Sequence, residues 1–257
     1  WFKEILTIKR SKFYFYDVYK IKKKIDPFFF SNVFDLQTSN RSSYYLKIFK
    51  NFDCDTNGIG KYSKTQHLNA NRNNLHTVER QKDQLSFSKV KYFRKPNLSW
   101  FYKKSNKFNI FGKYALVVPG GSGKRINKRI PIELFFEVVS LLIRKNIKPI
   151  IIGAKDDFHV CKKIEENFPK VKNLCLQTSL FDIASLAINS LFSIGNDTGP
   201  IHIISRANKK TIVLFTKNSN PNLCGPVGKL TETLTFDNTD IFFNKLLLEK
   251  TMKAISQ

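Results

Sequence analysis

A chain of 257 residues that is 42% hydrophobic and 14% aromatic is long enough to bury one or two cores and too apolar to be intrinsically disordered. Its 44 Lys and Arg outnumber its 20 Asp and Glu, and the formal net charge of +24 favours anionic partners such as nucleic acid, an acidic membrane surface or a phosphorylated substrate. Because Lys is abundant even in segments typical of plain scaffold, this charge alone does not choose among those partners.

The cysteines and the apolar runs narrow the class of protein further. The four cysteines form no CxxC pair and have no metal-ligand spacing with histidine, which predicts free thiols in a reducing compartment and no metal site. Glu133 and Glu137 interrupt the longest apolar run, so none approaches the ~18 residues of a membrane helix. We find no signal peptide and expect a cytoplasmic protein. The chain begins at Trp1 and not at Met, and we expect it to be a fragment of a longer protein.

In residues 1–112 the spacing of apolar residues does not follow one regular order of strands and helices. Residues 13–19 alternate enough for a strand, whereas 18–25 could begin a helix, and both interpretations stay open. The later elements predicted here are, in order, a buried strand over 32–36, a helix over 42–49, a loop over 53–74 and a helix over 76–85 capped by Asn73 or Asn74. The polar stretch over 86–112 separates a predicted domain at 1–105 from a second at 106–257.

The second part of the chain is regular. Strands are predicted over 114–118, 148–152, 173–176, 191–194, 211–215 and 234–236, and helices over 132–145, 156–168, 180–189 and 239–256. Strands that alternate with helices indicate an α/β fold with a parallel, doubly wound sheet. Ligands of such sheets lie at the carboxyl ends of the strands.

The segment after the strand at 191–194 has the features of a phosphate site. The strand is predicted to stop at Gly195, a residue suited to unusual backbone angles. Asp197 and Thr198 supply capping side chains for a helix whose first turn contains Pro200. Free N–H groups at a helix start attract phosphate, and His202 could donate a further hydrogen bond. An ordinary capped helix of an α/β domain is the alternative.

A second glycine-rich loop follows the strand at 114–118. Its Gly120-Gly121-Ser122-Gly123-Lys124 run lacks the Walker spacing, since Val and Arg occupy positions 118 and 125, and a P-loop nucleotidase is therefore rejected. The loop is still predicted to expose backbone N–H groups, with the Ser122 hydroxyl and a basic set beside them. That set is Lys124, Arg125, Lys128 and Arg129, and its alternative role is that of a solvated surface.

These segments resemble the motifs of one family, the bacterial lipopolysaccharide heptosyltransferases of glycosyltransferase family 9. Residues 119–122 and 127–131 (Pro-Gly-Gly-Ser and Asn-Lys-Arg-Ile-Pro) are similar to the family's PG-x-S and K-R-W-P signatures. Residues 196–202 (Asn-Asp-Thr-Gly-Pro-Ile-His) resemble its D-[ST]-G-x-x-H motif. Further similar segments are 211–215 with 225–228, which match an LFG and P-x-G region, and the weaker landmarks at 35–42 and 76–80.

The resemblance implies a GT-B fold of two Rossmann-like domains, the first of them truncated here, with the nucleotide sugar held mainly by the second. It also implies transfer of heptose from ADP-heptose to the lipopolysaccharide inner core, with inversion and with neither a cofactor nor an obligatory metal. The implied partners are the ADP-sugar donor and a lipopolysaccharide core or lipid-linked sugar acceptor, with peripheral contact at the inner face of the cytoplasmic membrane. No nucleic acid is expected.

The resemblance also assigns a donor site residue by residue. Ser122 and Lys128 would contact the diphosphate, and Thr198, Gly199 and His202 would hold it at the helix start. The helix dipole with Lys128 and His202 would neutralise the leaving ADP, in place of a metal.

Three further residues receive more limited assignments from the resemblance. Asp197 would order the loop or bind a hydroxyl, because a carboxylate that faces phosphate is repelled. Thr178 and Ser179, after the third strand of this domain, are candidates to border the adenine.

The chain departs from the family pattern in two respects. The family's first strand and loop, which carry the acidic general base, have no counterpart, so no catalytic residue is named; Asp35 is a poor substitute, since its family position is usually structural. Ile130 stands where the family usually has Trp, and Thr216-Lys217 replaces Gly-Pro or Gly-Ala, which would alter the fit of the donor.

Two other functions stay open. A transferase could use a different nucleotide sugar, because motifs that bind diphosphate select neither base nor sugar. A non-catalytic relic that binds anions or nucleic acid through its charge would lose affinity steeply with salt and would not distinguish bases.

Overall fold

The computed structural model describes residues 3–237, 239–240 and 242–256. Contacts within the chain divide it into two units, Trp1–Lys95 and Pro96–Gln257. The domain boundary predicted at 105/106 falls after this division, and as a boundary between functional domains it stays a prediction. None of the helices in the described part has the length and apolar character needed to span a bilayer.

The N-terminal unit is built on a small parallel sheet of three strands in the order β1-β2-β3. Val33 of β1 pairs with Thr56 of β2, and Asn57 pairs with Thr65 of β3. Its core contains Ile25, Leu46, Ile48, Phe49 and Cys54. The elements are α1 (Tyr14–Ile25), β1 (Asn32–Phe34), α2 (Asn40–Tyr45), a 3-10 helix (Leu46–Asn51), β2 (Asp55–Gly58), β3 (Thr65–Gln66), a 3-10 helix (Arg72–Asn74) and α3 (Thr77–Phe87).

Several predictions for this unit are wrong. Of the two interpretations of residues 13–25, the strand is wrong and the helix is correct: Tyr14–Ile25 form α1, which buries Asp17 and Ile25 on one side. Strand β1 is not buried, since both its end residues are exposed. Strands β2 and β3 lie inside the predicted loop over 53–74. The cap of α3 is the His76 side chain, which accepts from the Val78 N–H, and not Asn73 or Asn74.

The C-terminal unit is a six-stranded parallel sheet in the order β6-β5-β4-β7-β8-β9. Alternate residues of β4 serve two cores: Ala115 and Val117 face one side, and Leu116 and Val118 face the other. The elements are β4 (Tyr114–Val118), α4 (Ile132–Arg144), β5 (Lys148–Ile151), α5 (Phe158–Asn167), β6 (Lys172–Asn173), α6 (Leu180–Asn189), β7 (Phe192–Asn196), α7 (Gly199–Ile204), β8 (Lys210–Thr216), α8 (Pro221–Cys224), β9 (Thr231–Phe236) and α9 (Phe243–Ile255).

The alternating pattern predicts this unit well, and β4 and α6 have the predicted bounds. Helix α5 is shorter than predicted because its first turn is a 3-10 helix, Lys155–Asp157. The last helix begins at Phe243, later than the predicted position 239; that prediction also included Ile241, which lies outside the described residues. All four cysteine thiols are free.

Candidate functional site

The carboxyl ends of β4 and β7 are neighbours in the sheet, where Val118 pairs with Gly195. Strand β7 does not stop at Gly195 but continues to Asn196. The prediction of an unusual backbone angle is wrong, because Gly195 is not among the described residues with positive φ. A Cβ at this position would lie 2.5 Å from Val118 Cβ and 2.6 Å from its carbonyl oxygen. Glycine is therefore required at position 195 so that β4 and β7 can approach closely at their carboxyl ends, where their loops begin.

Asn196 ties the two loops together at that edge. Its buried side chain donates from Nδ2 to the carbonyl oxygens of Pro119 (2.8 Å) and Gly120 (3.1 Å). Its Oδ1 accepts from the Ile130 N–H at 3.4 Å. Sequence reasoning assigned Asn196 no role, although an Asn that ends a buried strand must find hydrogen-bond partners. The loop after β4 is thus held beside the start of α7.

Two carboxylates on the loop after β5 hold the glycine-rich loop. Asp157 Oδ1 accepts from the Gly121 N–H at 2.8 Å, and Asp156 Oδ2 accepts from the Gly123 N–H at 3.0 Å. The prediction that this loop exposes free N–H groups is therefore wrong at both positions. Arg129 completes the arrangement, donating from Nη2 to the carbonyl oxygens of Gly121 and Asp156. We call Arg129, Asp156 and Asp157 the loop clamp.

The basic residues of this loop divide into two groups. Lys124 and Arg125 are exposed, as is Ser122, whose hydroxyl makes no hydrogen bond in the part of the chain that the structure describes. Lys128 instead turns inward, donating to Ser219 Oγ at 2.8 Å and lying 3.6 Å from Asp197 Oδ2. The solvated-surface alternative fits the first two, whereas Lys128 belongs to a polar cluster.

Asp197 is the centre of that cluster. Ser219 Oγ donates to its Oδ2 at 3.0 Å, and His202 Nε2 lies 3.3 Å from its Oδ1. Burial raises the pKa of the Asp197 carboxyl, but hydrogen bonds from His202 and Ser219 and the charge of Lys128 outweigh burial and leave the pKa below its ordinary value. The carboxylate is therefore ionised, and it orders the Lys128 ammonium group and the His202 imidazole around itself. Ser219 lies 22 positions away along the chain and was not predicted.

The start of α7 differs in detail from the prediction. Pro200 lies in the first turn as expected, but neither Asp197 nor Thr198 caps the helix with its side chain. The Ile201 N–H is not free, because it donates to the Thr198 carbonyl oxygen at 3.1 Å. The N–H groups of Thr198 and Gly199 find no acceptor among the described residues, and Thr198 Oγ1 is buried without a partner there.

The space beside Gly199 is open, since no described heavy atom lies within 4 Å of the point that a Cβ would occupy. His202 is 45% exposed on the same helix start. The arrangement thus offers unused N–H and hydroxyl donors, one exposed imidazole and one ordered ammonium group at a single edge of the sheet. These are donor groups that an oxyanion such as a diphosphate would satisfy. No group of three or more His, Cys, Asp or Glu side chains suited to a metal ion occurs among the described residues.

Comparison with known proteins decides the family. The sequence model of glycosyltransferase family 9 (heptosyltransferase) matches residues 19–242. This chain belongs to glycosyltransferase family 9. None of the curated protein sequences compared with it gives a significant match.

Solved structures show the same fold at low identity. A glycosyl transferase family 9 protein from Veillonella parvula aligns with TM-score 0.70 and 18% identity, over 93% of this chain and 76% of that one. E. coli heptosyltransferase WaaC with ADP gives 0.67 and 19%, over 92% and 77%. E. coli ADP-heptose lps heptosyltransferase II gives 0.66 and 15%, over 93% and 80%. The predicted α/β fold of GT-B type, with parallel sheets, is confirmed.

The positions that depart from the family pattern have structural roles in this chain. Ile130, in place of Trp, is buried in the core. Thr216 donates from Oγ1 to the Asn127 carbonyl oxygen at 2.9 Å, and Asn218 donates to the same oxygen at 3.0 Å. The segment that precedes Lys128 is therefore fastened to the end of β8.

The remaining candidate residues lie elsewhere. Ser179 forms a capping box with Asp182 at the start of α6, and Thr178 is half-buried beside it. Both follow β6, which β5 separates from β4. Asp35 lies in the N-terminal unit, where its carboxylate accepts from the Gln37 and Thr38 N–H groups and from the Ser42 hydroxyl. The Asp35 carboxylate thus holds the local backbone in place, which agrees with the prediction that Asp35 is a poor candidate for a general base.

Proposed function

We propose that this protein is a glycosyltransferase that transfers heptose from ADP-heptose to the inner core of lipopolysaccharide, with inversion. The observation that carries the proposal is the Lys128–Asp197–His202 cluster at the start of α7, at the edge where β4 and β7 end. Membership of the heptosyltransferase family supports the reaction class. Two proteins of the same fold are described as bound to ADP and as acting on ADP-heptose, which supports the choice of donor.

In this proposal the donor diphosphate lies against the start of α7. The Thr198 and Gly199 N–H groups, the Thr198 hydroxyl and the exposed Ser122 hydroxyl donate to its oxygens. Lys128 and His202 neutralise the charge that develops on the departing ADP, together with the helix dipole. Asp197 stays behind these cations and fixes where they point, since a carboxylate in direct contact with phosphate would be repelled. Thr178 and Ser179 are proposed to border the adenine.

The acceptor is proposed to bind the N-terminal unit. Arg72 supports an anionic acceptor, because its Nε and Nη2 atoms are buried without a hydrogen-bond partner in the described part of the chain. Burial and the neighbouring Arg80 lower the pKa of Arg72, and a bound carboxylate or phosphate would satisfy both nitrogens. We expect Arg72→Ala to raise the KM for the acceptor with ADP affinity unchanged, whereas the exposed Arg94→Ala should change neither.

The proposal places the protein in the cytoplasm, at the inner face of the membrane that carries the acceptor. No catalytic base is assigned, since no residue of the described chain combines an accessible carboxylate with the donor cluster. A transferase specific for another nucleotide sugar is the alternative that the same cluster permits.

Calorimetric titration with ADP, UDP and GDP at moderate salt tests the donor site. We expect selective ADP binding, weakened about tenfold or more by Lys128→Ala because a charged partner of the diphosphate is lost. Asp197→Ala should also weaken it, since Lys128 and His202 lose the group that orders them. Lys124→Ala, which removes an exposed lysine of the same loop, is the matched control and should have little effect.

Each other outcome has a definite meaning. Preference for UDP or GDP that still depends on Lys128 would replace the ADP-sugar with another donor. Equal weak binding of all three nucleotides, indifferent to both cluster substitutions and abolished by salt, would favour the anion-binding relic and contradict the proposal.

A further inference from the structure

Helix α1 is held in place by a buried ionic network on its inner side. The Asp17 carboxylate is fully buried and accepts from the Tyr45 hydroxyl at 2.6 Å, from the Ser11 N–H at 2.8 Å and from Arg41 Nε at 3.1 Å. The hydrogen bond from Tyr45 does most to hold the pKa of Asp17 well below its ordinary range, so the group is ionised and paired. Ile25 packs into the core of the N-terminal unit on the same side. The orientation of α1 is therefore fixed.

This anchoring determines the charge of the outer side. Asp17 is the sole acidic residue of α1, and it is turned inward beside Arg41. The outward side carries Phe15, Tyr16 and Tyr19, which are 67%, 49% and 63% exposed, followed by exposed lysines in the last turn. We call Phe15, Tyr16, Tyr19, Lys22 and Lys23 the aromatic–lysine face. It has cations and aromatic rings but no carboxylate.

The segment before α1 continues this character. Ile5 and Leu6 are exposed, as are Lys9, Arg10 and Lys12, and Glu4 is the one acidic residue of the described segment 3–12. Exposed rings that lie together on one side of a helix, as Phe15, Tyr16 and Tyr19 do, and that are bordered by lysines are typical of an interaction site. Amphipathic rings with lysines match the headgroup region of an anionic bilayer, where rings enter the acyl boundary and cations meet phosphate.

We propose that the aromatic–lysine face of α1 docks on the surface of an anionic lipid bilayer. The rings occupy the first two turns and the lysines the last, so that one end of the helix face can enter the lipid while the other remains at the headgroups. Exposed aliphatic side chains nearby favour lipid over nucleic acid, whose bases stack on rings rather than on Ile or Leu. This docking proposal rests on the proposed function in one respect: the lipid-anchored acceptor of that function would lie in an anionic bilayer surface.

Co-sedimentation of the whole chain with vesicles tests the proposal. Vesicles of phosphatidylcholine are compared with vesicles that also contain phosphatidylglycerol. We expect binding that needs the anionic lipid, and an about tenfold weaker partition for Lys22→Gln/Lys23→Gln and for Phe15→Ser/Tyr19→Ser. The controls on α5 are Lys162→Gln/Lys163→Gln, with the same change of charge, and Phe158→Ser, which removes one exposed ring. Both controls should bind as the parent does.

Three results would overturn the proposal. Equal losses in the α1 and α5 variants would mean that binding follows net charge and has no dedicated face. Loss of self-association or of single-stranded RNA binding in the α1 variants, with lipid binding intact, would assign the face to a second copy or to nucleic acid. Circular dichroism of each variant excludes simple unfolding.

ADP titration of the same variants separates this proposal from the donor proposal. The α1 variants should bind ADP as the parent does. Vesicle binding that depends on α1 in a protein without selective nucleotide affinity would leave the docking face standing and remove the proposed reaction.

Discussion

A carboxylate beside a phosphate site repels the ligand unless cations compensate for it. The Asp197 carboxylate has such partners: Lys128 Nζ and His202 Nε2 both lie within 4 Å of its oxygens, and the Ser219 hydroxyl donates a hydrogen bond to it. Burial alone would raise the pKa of the Asp197 carboxyl, and the hydrogen bonds and the Lys128 charge together lower it by more than burial raises it. In the proposed donor site, Asp197 would therefore position the Lys128 and His202 side chains and would not contact the diphosphate itself.

The same residue leads to a prediction about pH and stability. Because the pKa of Asp197 is lower in the folded protein than in the unfolded chain, its contribution is complete above the unfolded pKa of about 3.9 and is lost as pH falls through the folded pKa. We expect Asp197→Asn to reduce the free energy of unfolding by about 1–2 kcal/mol at pH 7, since hydrogen bonds to an ionised group are lost. The difference between variant and parent should shrink below pH 4. Urea denaturation of both proteins between pH 7 and pH 3 measures it.

At the scale of elements, the site is an assembly of loops fastened to one another. The loop clamp binds the glycine-rich loop after β4 to the loop after β5, and Asn196 binds it to the end of β7. Arg129 directly follows Lys128, so whatever fixes Arg129 also fixes the backbone that carries the cluster lysine. The clamp and Asn196 together therefore make the position of the Lys128 ammonium group depend on the ends of strands β4, β5 and β7.

Replacing the clamp arginine should lower donor affinity without removing any proposed donor contact. Arg129→Lys keeps the charge but loses the planar fork that reaches the Gly121 and Asp156 carbonyl oxygens. We expect ADP affinity to fall about tenfold, because Lys128 is no longer held in position. Arg125→Lys, four residues earlier and exposed, is the control and should bind ADP normally. Equal affinities in calorimetry would show that the clamp has no influence on the donor site.

The elements also show what a sequence can predict. The predicted bounds of β4 and α6 are correct, and both elements are set by local features: β4 by a run of apolar residues and the start of α6 by the Ser179–Asp182 capping box. Strand β2 was missed because Asp, Asn and Gly in its Asp-Thr-Asn-Gly sequence disfavour strands, and β3 was missed because two residues are too few to show an alternating pattern. The clamp was missed for a different reason: Gly121 and Asp157 are 36 positions apart, and only the fold brings them together.

At the scale of the whole molecule, the chain consists of two units with separate cores. The sheet of the C-terminal unit has apolar clusters on both faces, and every proposed donor residue belongs to that unit. A unit with its own two-sided core is expected to fold by itself. The contacts within the chain place the start of this unit at position 96, whereas the sequence predicts it at position 106. The two starting points differ in whether residues 96–105 contribute to the stability of the unit.

The segment between those two positions packs on the C-terminal unit. Tyr102 donates to the Ile203 carbonyl oxygen at 2.5 Å, and burial raises the pKa of Tyr102 to about 12. The Phe101 ring lies 4.8 Å from the Phe181 ring, centroid to centroid. These contacts lie on α6, which begins directly after the adenine candidates Thr178 and Ser179, and on α7, whose start belongs to the proposed donor site.

We therefore expect a fragment of residues 96–257 to fold and to bind ADP as the whole chain does. A fragment of residues 106–257 should be less stable by about 3 kcal/mol, because it loses a half-buried tyrosine, its hydrogen bond and an aromatic pair. Urea denaturation compares the two, and Tyr102→Phe in the longer fragment is the control that isolates the hydrogen bond, with an expected loss of about 1 kcal/mol. Equal stability of the two fragments would instead support a domain that begins at 106, since residues 96–105 would then contribute nothing to the fold that holds the donor site.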